Sequence, residues 1–174
     1  PDAVLLGDRQ LKFIEEWTAD WEHTDMKVAL SQTIFANLST YPDTFITDAG
    51  TPRLEPLPRS VIPKDYSKAR DMDSNGWPQS GRDRAITALR KCFGLHIGGD
   101  QHLATVIHHG ITEFRDSNFS FCVPSIVNYY NRWWDPQDGP DGQPVEGPLP
   151  LIGDYYDGLH NKITMYAYAN PSEE

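Results

Sequence analysis

Leu95-His96-Ile97-Gly98-Gly99-Asp100-Gln101-His102-Leu103 reads as a short apolar strand that runs into two glycines and then presents an acid and an imidazole. The glycines permit a tight turn where other residues would be strained. Asp100 and His102 are two positions apart, so an extended backbone projects both side chains to one face. A carboxylate oxygen and an imidazole nitrogen converging on one point suit a hard or borderline cation such as zinc, iron or manganese. A strand that ends in its ligands also fits the sites found beyond the carboxyl ends of strands in open α/β sheets. On spacing alone, a plain turn closed by Asp100 explains the same residues.

Working outward from this stretch, Ser80 starts a helix, and Asp83 three residues later completes a capping-box pattern. Ala85, Ile86, Leu89 and Phe93 form its buried stripe, which turns Arg82, Arg84, Arg90 and Lys91 outward. The strand at 95 to 98 follows. The amino-terminal region repeats that order. Residues 8 to 22 read as a helix capped by Asp8, with Leu11, Ile14, Trp17, Thr18 and Trp21 inward and Glu15, Glu16 and Glu22 outward. Met26 to Leu30 is a buried strand ending in the polar cluster Ser31-Gln32-Thr33. Two helix–strand pairs predict an α/β fold.

Beyond His102, Leu103 to Ile107 is apolar and fits helix or strand equally. His108 and His109 are adjacent, so their side chains diverge; both are expected at the surface. Phe119 to Val123 alternates like a strand and is stopped by Pro124. Asn128 to Trp134 concentrates aromatic residues beside Arg132 and forms either a π surface for a ligand or a lid packed on the core. Lys162 to Ala169 is a strand with two differently covered faces, expected at a sheet edge.

Residues 39 to 79 read as a long loop. Pro42, Pro52, Pro56, Pro58 and Pro63 break any regular pattern up to residue 72, and Asp71 to Gln79 holds the turn formers Asp73, Ser74, Asn75 and Gly76 before Trp77. Residues 135 to 150, rich in Gly, Pro and Asp, are a second loop.

The 174 residues suffice for one domain with a core. A formal charge of -10 argues against non-specific nucleic-acid binding, and no apolar run approaches the ~20 residues a membrane helix needs. Cys92 and Cys122 are too few for a disulfide framework and sit in apolar contexts, which predicts buried free thiols. The chain begins at Pro1 with no secretory-signal pattern, as a trimmed chain would.

Three stretches in this order resemble the carboxyl-terminal half of the PhoD-like (alkaline phosphatase D-like) metallophosphatases, within the calcineurin-like metallophosphoesterase superfamily. They are Leu11 to Gln32 ending in Leu-Ser-Gln-Thr, the loop Asp73-Ser74-Asn75-Gly76-Trp77-Pro78 before an arginine-rich helix, and Gly99-Asp100-Gln101-His102. The resemblance covers most of the chain. It implies a four-layer αββα sandwich with a metal centre at the upper edge of two sheets, hydrolysis of phosphate mono- or diesters, and a periplasmic or secreted setting. It implies divalent or trivalent metal ions: iron, calcium, zinc or manganese. Asp100 and His102 take the place of the family's last metal-binding motif, usually Gly-Asp-Val-His, with Gln101 standing for valine and expected to face away from the metal. His102 is also the candidate catalytic imidazole, holding one metal or touching a phosphoryl oxygen. Asp73 and Asn75 are candidate substrate-binding residues, with Arg82 or Arg84 as weaker phosphate contacts. The family's early motifs, Asp-x-His, Gly-Asp-x-x-Asp and Gly-Asn-His-Asp/Glu, have no match here. The resemblance therefore makes this chain the distal half of the domain, with the amino-terminal half as its partner and low activity alone. The competing reading is a non-catalytic α/β half-domain that binds a ligand or a protein through residues 128 to 134.

Overall fold

Two helix–strand pairs followed by four further strands make up the computed structural model, which describes residues 4–36, 38, 79–101, 103–124, 134, 152–157 and 161–169. The elements are α1 (Asp8–Ala19), β1 (Val28–Thr33), α2 (Gln79–Leu89) running into a 3-10 turn at Arg90–Cys92, β2 (Leu95–Gly99), β3 (Ala104–His109), β4 (Phe119–Cys122), β5 (Gly153–Tyr156) and β6 (Lys162–Ala169). The strands form one sheet in the order β1-β2-β4-β3-β6-β5. The first three are mutually parallel, whereas β3 runs antiparallel to β4 and β6, and β5 antiparallel to β6.

Alternation assigns the two faces. In β2, His96 and Gly98 are buried and Leu95, Ile97 and Gly99 half-buried; in β4, Ser120 and Cys122 are buried and Phe119 and Phe121 exposed. The covered face packs against the helices through Phe35, Ala85, Ile86 and Leu89, joined by Ile14, Trp17 and Ala29. A second cluster around Ile107, Cys122, Tyr155, Ile163 and Met165 includes Ile34 and Leu103. The other face is apolar and open at the β1 side: Leu30 is 77% exposed, beside Ile97, which pairs in turn with Phe121. Both cysteines are buried free thiols.

Helix α1 is shorter than its hydrophobic pattern. It is capped by Gly7 rather than Asp8, because the Gln10 carboxamide turns back to accept the Gly7 N–H at 3.1 Å. It ends at Ala19 because Lys27, just before β1, reaches back and donates its ammonium to the carbonyls of Trp17 and Asp20. The Lys27 Nζ lies 5.0 Å from the Trp17 ring and 4.9 Å from the Trp21 ring, a cation–π clasp on a helix C-terminus that also favours positive charge. Strand β1 begins after Lys27 and continues through Ser31-Gln32-Thr33, because the parallel pairing with β2 extends to Ser31↔Gly98 and Thr33↔Gly99.

Four other expectations are corrected. Ser80 lies inside α2, which starts at Gln79. Phe93 is 89% exposed, because the 3-10 turn ends with Phe93 in the left-handed region at φ 50 and so takes it off the helical stripe. β6 lies between β3 and β5, so β5 is the edge on that side. Arg82, placed outward by its charge, is 1% exposed. Its Nε donates to Phe35 O (3.1 Å), Nη1 to Gly110 O (2.8 Å) and Asp83 Oδ1 (2.9 Å), and Nη2 to Lys162 O (3.3 Å). Burial draws this guanidinium below its ordinary pKa, opposed by hydrogen bonding to Asp83 and by the charges of Asp157, Asp83 and Asp116.

Ala104–His109 is strand, which resolves the ambiguity of Leu103 to Ile107. The loop expected at 39 to 79, apart from Gln79, and that at 135 to 150 lie outside the described residues. Of the aromatic segment 128 to 134 only Trp134 is described; it is buried edge-on to Tyr155, with centroids 4.9 Å apart.

Arg82 therefore sets a stability test. Arg82→Met keeps an apolar stem but takes the guanidinium donor from the carbonyls of Phe35 and Gly110, whereas Lys162 O keeps the Gly110 N–H at 2.9 Å, and an unsatisfied buried group costs about 1–3 kcal/mol. Urea unfolding at neutral pH should show a loss of roughly 3–5 kcal/mol on that basis. A loss below about 1 kcal/mol, the range of ordinary surface substitutions, would mean that the guanidinium does not hold these elements together.

Candidate functional site

The carboxyl ends of β1 and β2 form the rim on which Asp100 sits. Gly99 closes β2, and Asp100 follows with φ 62, a left-handed conformation that aspartate tolerates better than most side chains. The Gln101 N–H returns to Gly99 O at 2.7 Å, so the chain reverses in three residues centred on Asp100. A sparsely populated backbone at a strand end is the kind of local strain that marks binding and catalytic positions. Gln101 anchors the turn from below: it is buried, and its carboxamide donates to Ala36 O at 2.7 Å. The Asp100 carboxylate stays exposed, and its Oδ2 accepts a hydrogen bond from Gln32 Nε2 at 3.2 Å across the strand pair.

His102, Asp73 and Asn75 lie outside the described residues. The histidines expected at the surface do not join Asp100. β3 runs antiparallel to β4, so His108 and His109 fall beside Phe119 and Ser120, at the opposite end of the sheet from Asp100. His108 is half-buried, stacked on Phe119 with centroids 4.1 Å apart, and donates from Nε2 to Ser117 O at 2.7 Å. His109 is fully buried. Arg82 is committed to backbone carbonyls and so is not a phosphate contact, while Arg84 is exposed on α2. Among the described residues no three His, Cys, Asp or Glu side chains converge to hold a metal ion. The exposed carboxylate of Asp100 has the donor chemistry that a hard cation takes.

Behind the rim lies a feature that sequence reasoning missed. Ser31 Oγ is 2.7 Å from His96 Nε2, His96 Nδ1 is 2.6 Å from Ser120 Oγ, Ser120 Oγ is 2.6 Å from His109 Nε2, and His109 Nδ1 is 3.3 Å from Arg82 Nη2. The hydrogen-bond inventory fixes its direction. A guanidinium only donates, so His109 Nδ1 accepts and its proton sits on Nε2. That proton goes to Ser120 Oγ, whose own proton goes to His96 Nδ1. His96 therefore carries its proton on Nε2 and donates it to Ser31. Both rings are held neutral. Burial lowers the His96 pKa to about 4, and burial, with the charges of Arg82, His96 and His108, draws that of His109 well below the ordinary imidazole value.

This direction decides one chemical question. A serine beside a histidine at hydrogen-bond distance resembles a nucleophile and its base. Here His96 gives a proton to Ser31 and cannot take one from it, and its other nitrogen faces a serine rather than a carboxylate. The pair is therefore not built for acyl transfer. Both residues line a cavity of about 450 Å³ between α1, α2 and β1, whose other walls include Phe13, Ile14, Trp17 and Phe35. Phe35 stacks on His96 with centroids 4.4 Å apart. The sequence clue lay in alternation, since His96, Ser120 and His109 occupy the inward positions of β2, β4 and β3.

Compared with protein-family models, with curated proteins and with solved structures, the chain matches none.

The buried neutral rings carry a pH dependence. His96 has a folded pKa near 4 against an ordinary 6.5, so the unfolded chain binds the proton more tightly. Its contribution is fully present above about pH 6.5 and is lost as the pH falls through that window toward 4. The whole span is worth about 3 kcal/mol, at 1.36 kcal/mol per unit. Long-range proton–nitrogen spectra should show both rings neutral with the proton on Nε2 at pH 7 and still so at pH 5. An Nδ1-protonated His96 would break the assigned direction.

Proposed function

We propose that this chain is the distal part of a PhoD-like metallophosphatase domain, which hydrolyses phosphate mono- or diesters. The observation that carries the reading is Asp100, held left-handed in a three-residue turn at the carboxyl end of a parallel strand, with its carboxylate on the rim. Open α/β sheets place their ligands there. The sheet supports the larger architecture too. Parallel strands are ordinarily covered on both faces, and here helices cover one face while Leu30, Phe119, Phe121 and Tyr166 are exposed along the other. That face suits a second sheet, as a four-layer αββα sandwich requires. His108 Nδ1, on the same side, is buried without a hydrogen-bond partner among the described residues.

In this reading Asp100 binds one cation through its carboxylate, and His102 binds a cation or contacts a phosphoryl oxygen. Asp73 and Asn75 meet the substrate from their loop. Metal ions, when bound, lower the pKa of a water and neutralise charge on the phosphoryl oxygens. The remaining ligands come from the amino-terminal half of the domain. The Gly99–Gln101 turn fixes where the Asp100 carboxylate stands, and Gln101 prevents the turn from opening by its bond to Ala36. The alternative is a non-catalytic binding half-domain. The apolar cavity beside Ser31 favours it, whereas the burial of Trp134 removes one aromatic from the surface that it would use.

The test uses the full-length protein loaded with manganese, zinc, iron or calcium, assayed on chromogenic phosphate mono- and diesters. Asp100→Asn and His102→Ala should each lower metal content and reduce turnover by roughly 100-fold or more, the scale expected when a metal-activated water loses its support. Residues 1–174 alone should turn over far more slowly than the full chain. Unchanged metal content and turnover in Asp100→Asn would overturn the proposal. A fragment as active as its parent would place the missing ligands inside these residues.

A further inference from the structure

The cavity between α1, α2 and β1 takes no part in the rim around Asp100; neither Asp100 nor Gln32 lines it. β1 contributes Val28 to Ser31, the run over which it pairs with β2 in unbroken register, and the bulge at Gln32, between Ser31 and Thr33, ends that run. Phe13 and Leu30, 64% and 77% exposed, mark where the cavity meets solvent. Its volume of about 450 Å³ falls among small-molecule sites, which span roughly 300–1,000 Å³.

The helix that walls it is underpacked. Ile14 and Trp17 belong to the apolar stripe of α1, yet both are only half-buried, and the one buried residue of that helix is Thr18. The stripe faces this space in place of a filled core. Ala29, opposite on β1, is half-buried as well.

Two further observations decide what fits. The polar atoms of the wall are already engaged: Ser31 Oγ takes the His96 Nε2 proton at 2.7 Å, and His96 Nδ1 takes that of Ser120 at 2.6 Å. The other side chains of the lining are hydrocarbon and aromatic. A buried water wants two to four polar partners, and an engineered cavity of roughly 150 Å³ lined by Leu, Ile and Phe stays dry and takes benzene. Charge is absent too. No Asp, Glu, Lys or Arg lines the cavity, burial keeps His96 neutral at pH 7, and the chain carries a net charge of -10. An anion entering here loses its water without gaining a partner, and the field of the chain opposes its approach.

We propose that this cavity is a binding site for an uncharged lipophilic small molecule, inserted past Phe13 and Leu30 to lie between α1 and β1. The site is independent of any metal chemistry at Asp100.

The test is fluorescence titration of the full-length protein with N-phenyl-1-naphthylamine, an uncharged probe that brightens in apolar surroundings. The probe is then displaced with 1-decanol and with decanoate in mildly alkaline buffer. Wild type should bind the probe saturably, and decanol should displace it roughly 10-fold or more better than decanoate. Ala29→Leu extends a side chain into the cavity and should weaken probe binding roughly 10-fold or more, with an unfolding temperature at or above that of wild type. Phe13→Ser, at an exposed position, should weaken it as well. Phe121→Ser, on the open face of the sheet, should bind as wild type does. No saturable binding in wild type would overturn the proposal, and so would wild-type affinity in a stably folded Ala29→Leu. If Ala29→Leu unfolds at a lower temperature, Phe13→Ser decides in its place, and wild-type affinity there overturns the site. Binding lost in Phe121→Ser alone would move the probe to the open face, which also overturns it. Equal displacement by decanoate would overturn the uncharged class of ligand.

Discussion

One buried cation ties the fold together. The Arg82 guanidinium, sent inward from α2, donates to carbonyls after β1, after β3 and at the start of β6, and to a ring at the end of β3. A charge taken out of water is tolerated only where its hydrogen-bonding capacity is met, so those backbone segments must all be in place for the charge to be buried at all. The sheet gains a fixed point where β3 and β6 meet the helix layer. That fixed point extends along alternate inward positions, through His109, Ser120 and His96, to Ser31 at the edge of β1. The rim that carries Asp100 is built on this strand pair.

The parts of the structure legible in the sequence are those decided by neighbours along the chain. The α/β order, the strand at Phe119 and the buried thiols follow from periodicity and local composition. The glycine pair before Asp100 signalled a turn, and a turn stands there with Asp100 left-handed. What was not legible depends on partners far away. Arg82 looks like a solvated helix residue until its acceptors arrive from 47, 28 and 80 positions away. The exposed position of Phe93 depends on one left-handed residue, and the interior position of β6 depends on the short strand Gly153–Tyr156 lying outside it. The bulge at Gln32 exists only relative to β2, so no reading of β1 alone reveals it.

The rim and the open face belong to one design problem. A mixed sheet with three parallel strands at one side exposes apolar side chains on the face that the helices leave. In the proposed reading, a second layer over that face would bring new strand ends to the same rim, where the exposed Asp100 carboxylate lies beside the Gln32 amide. What the structure shows at that rim is an Asp100 carboxylate whose place is set by a γ-type turn and by the bulge in the neighbouring strand.

The one-way order of the buried hydrogen bonds has a dynamic meaning. A row of hydroxyls and imidazoles conducts protons only if every member turns round after each passage. Here the far end is a guanidinium, which keeps its proton under all ordinary conditions and has no lone pair to receive another. The row from Arg82 to Ser31 therefore cannot reset, and it is no conduit. It is a polarised strut instead: its dipoles add along one direction and strengthen one another in the low-dielectric interior. The orientation of a serine at the edge of the sheet is thus dictated by a charge buried on its other side.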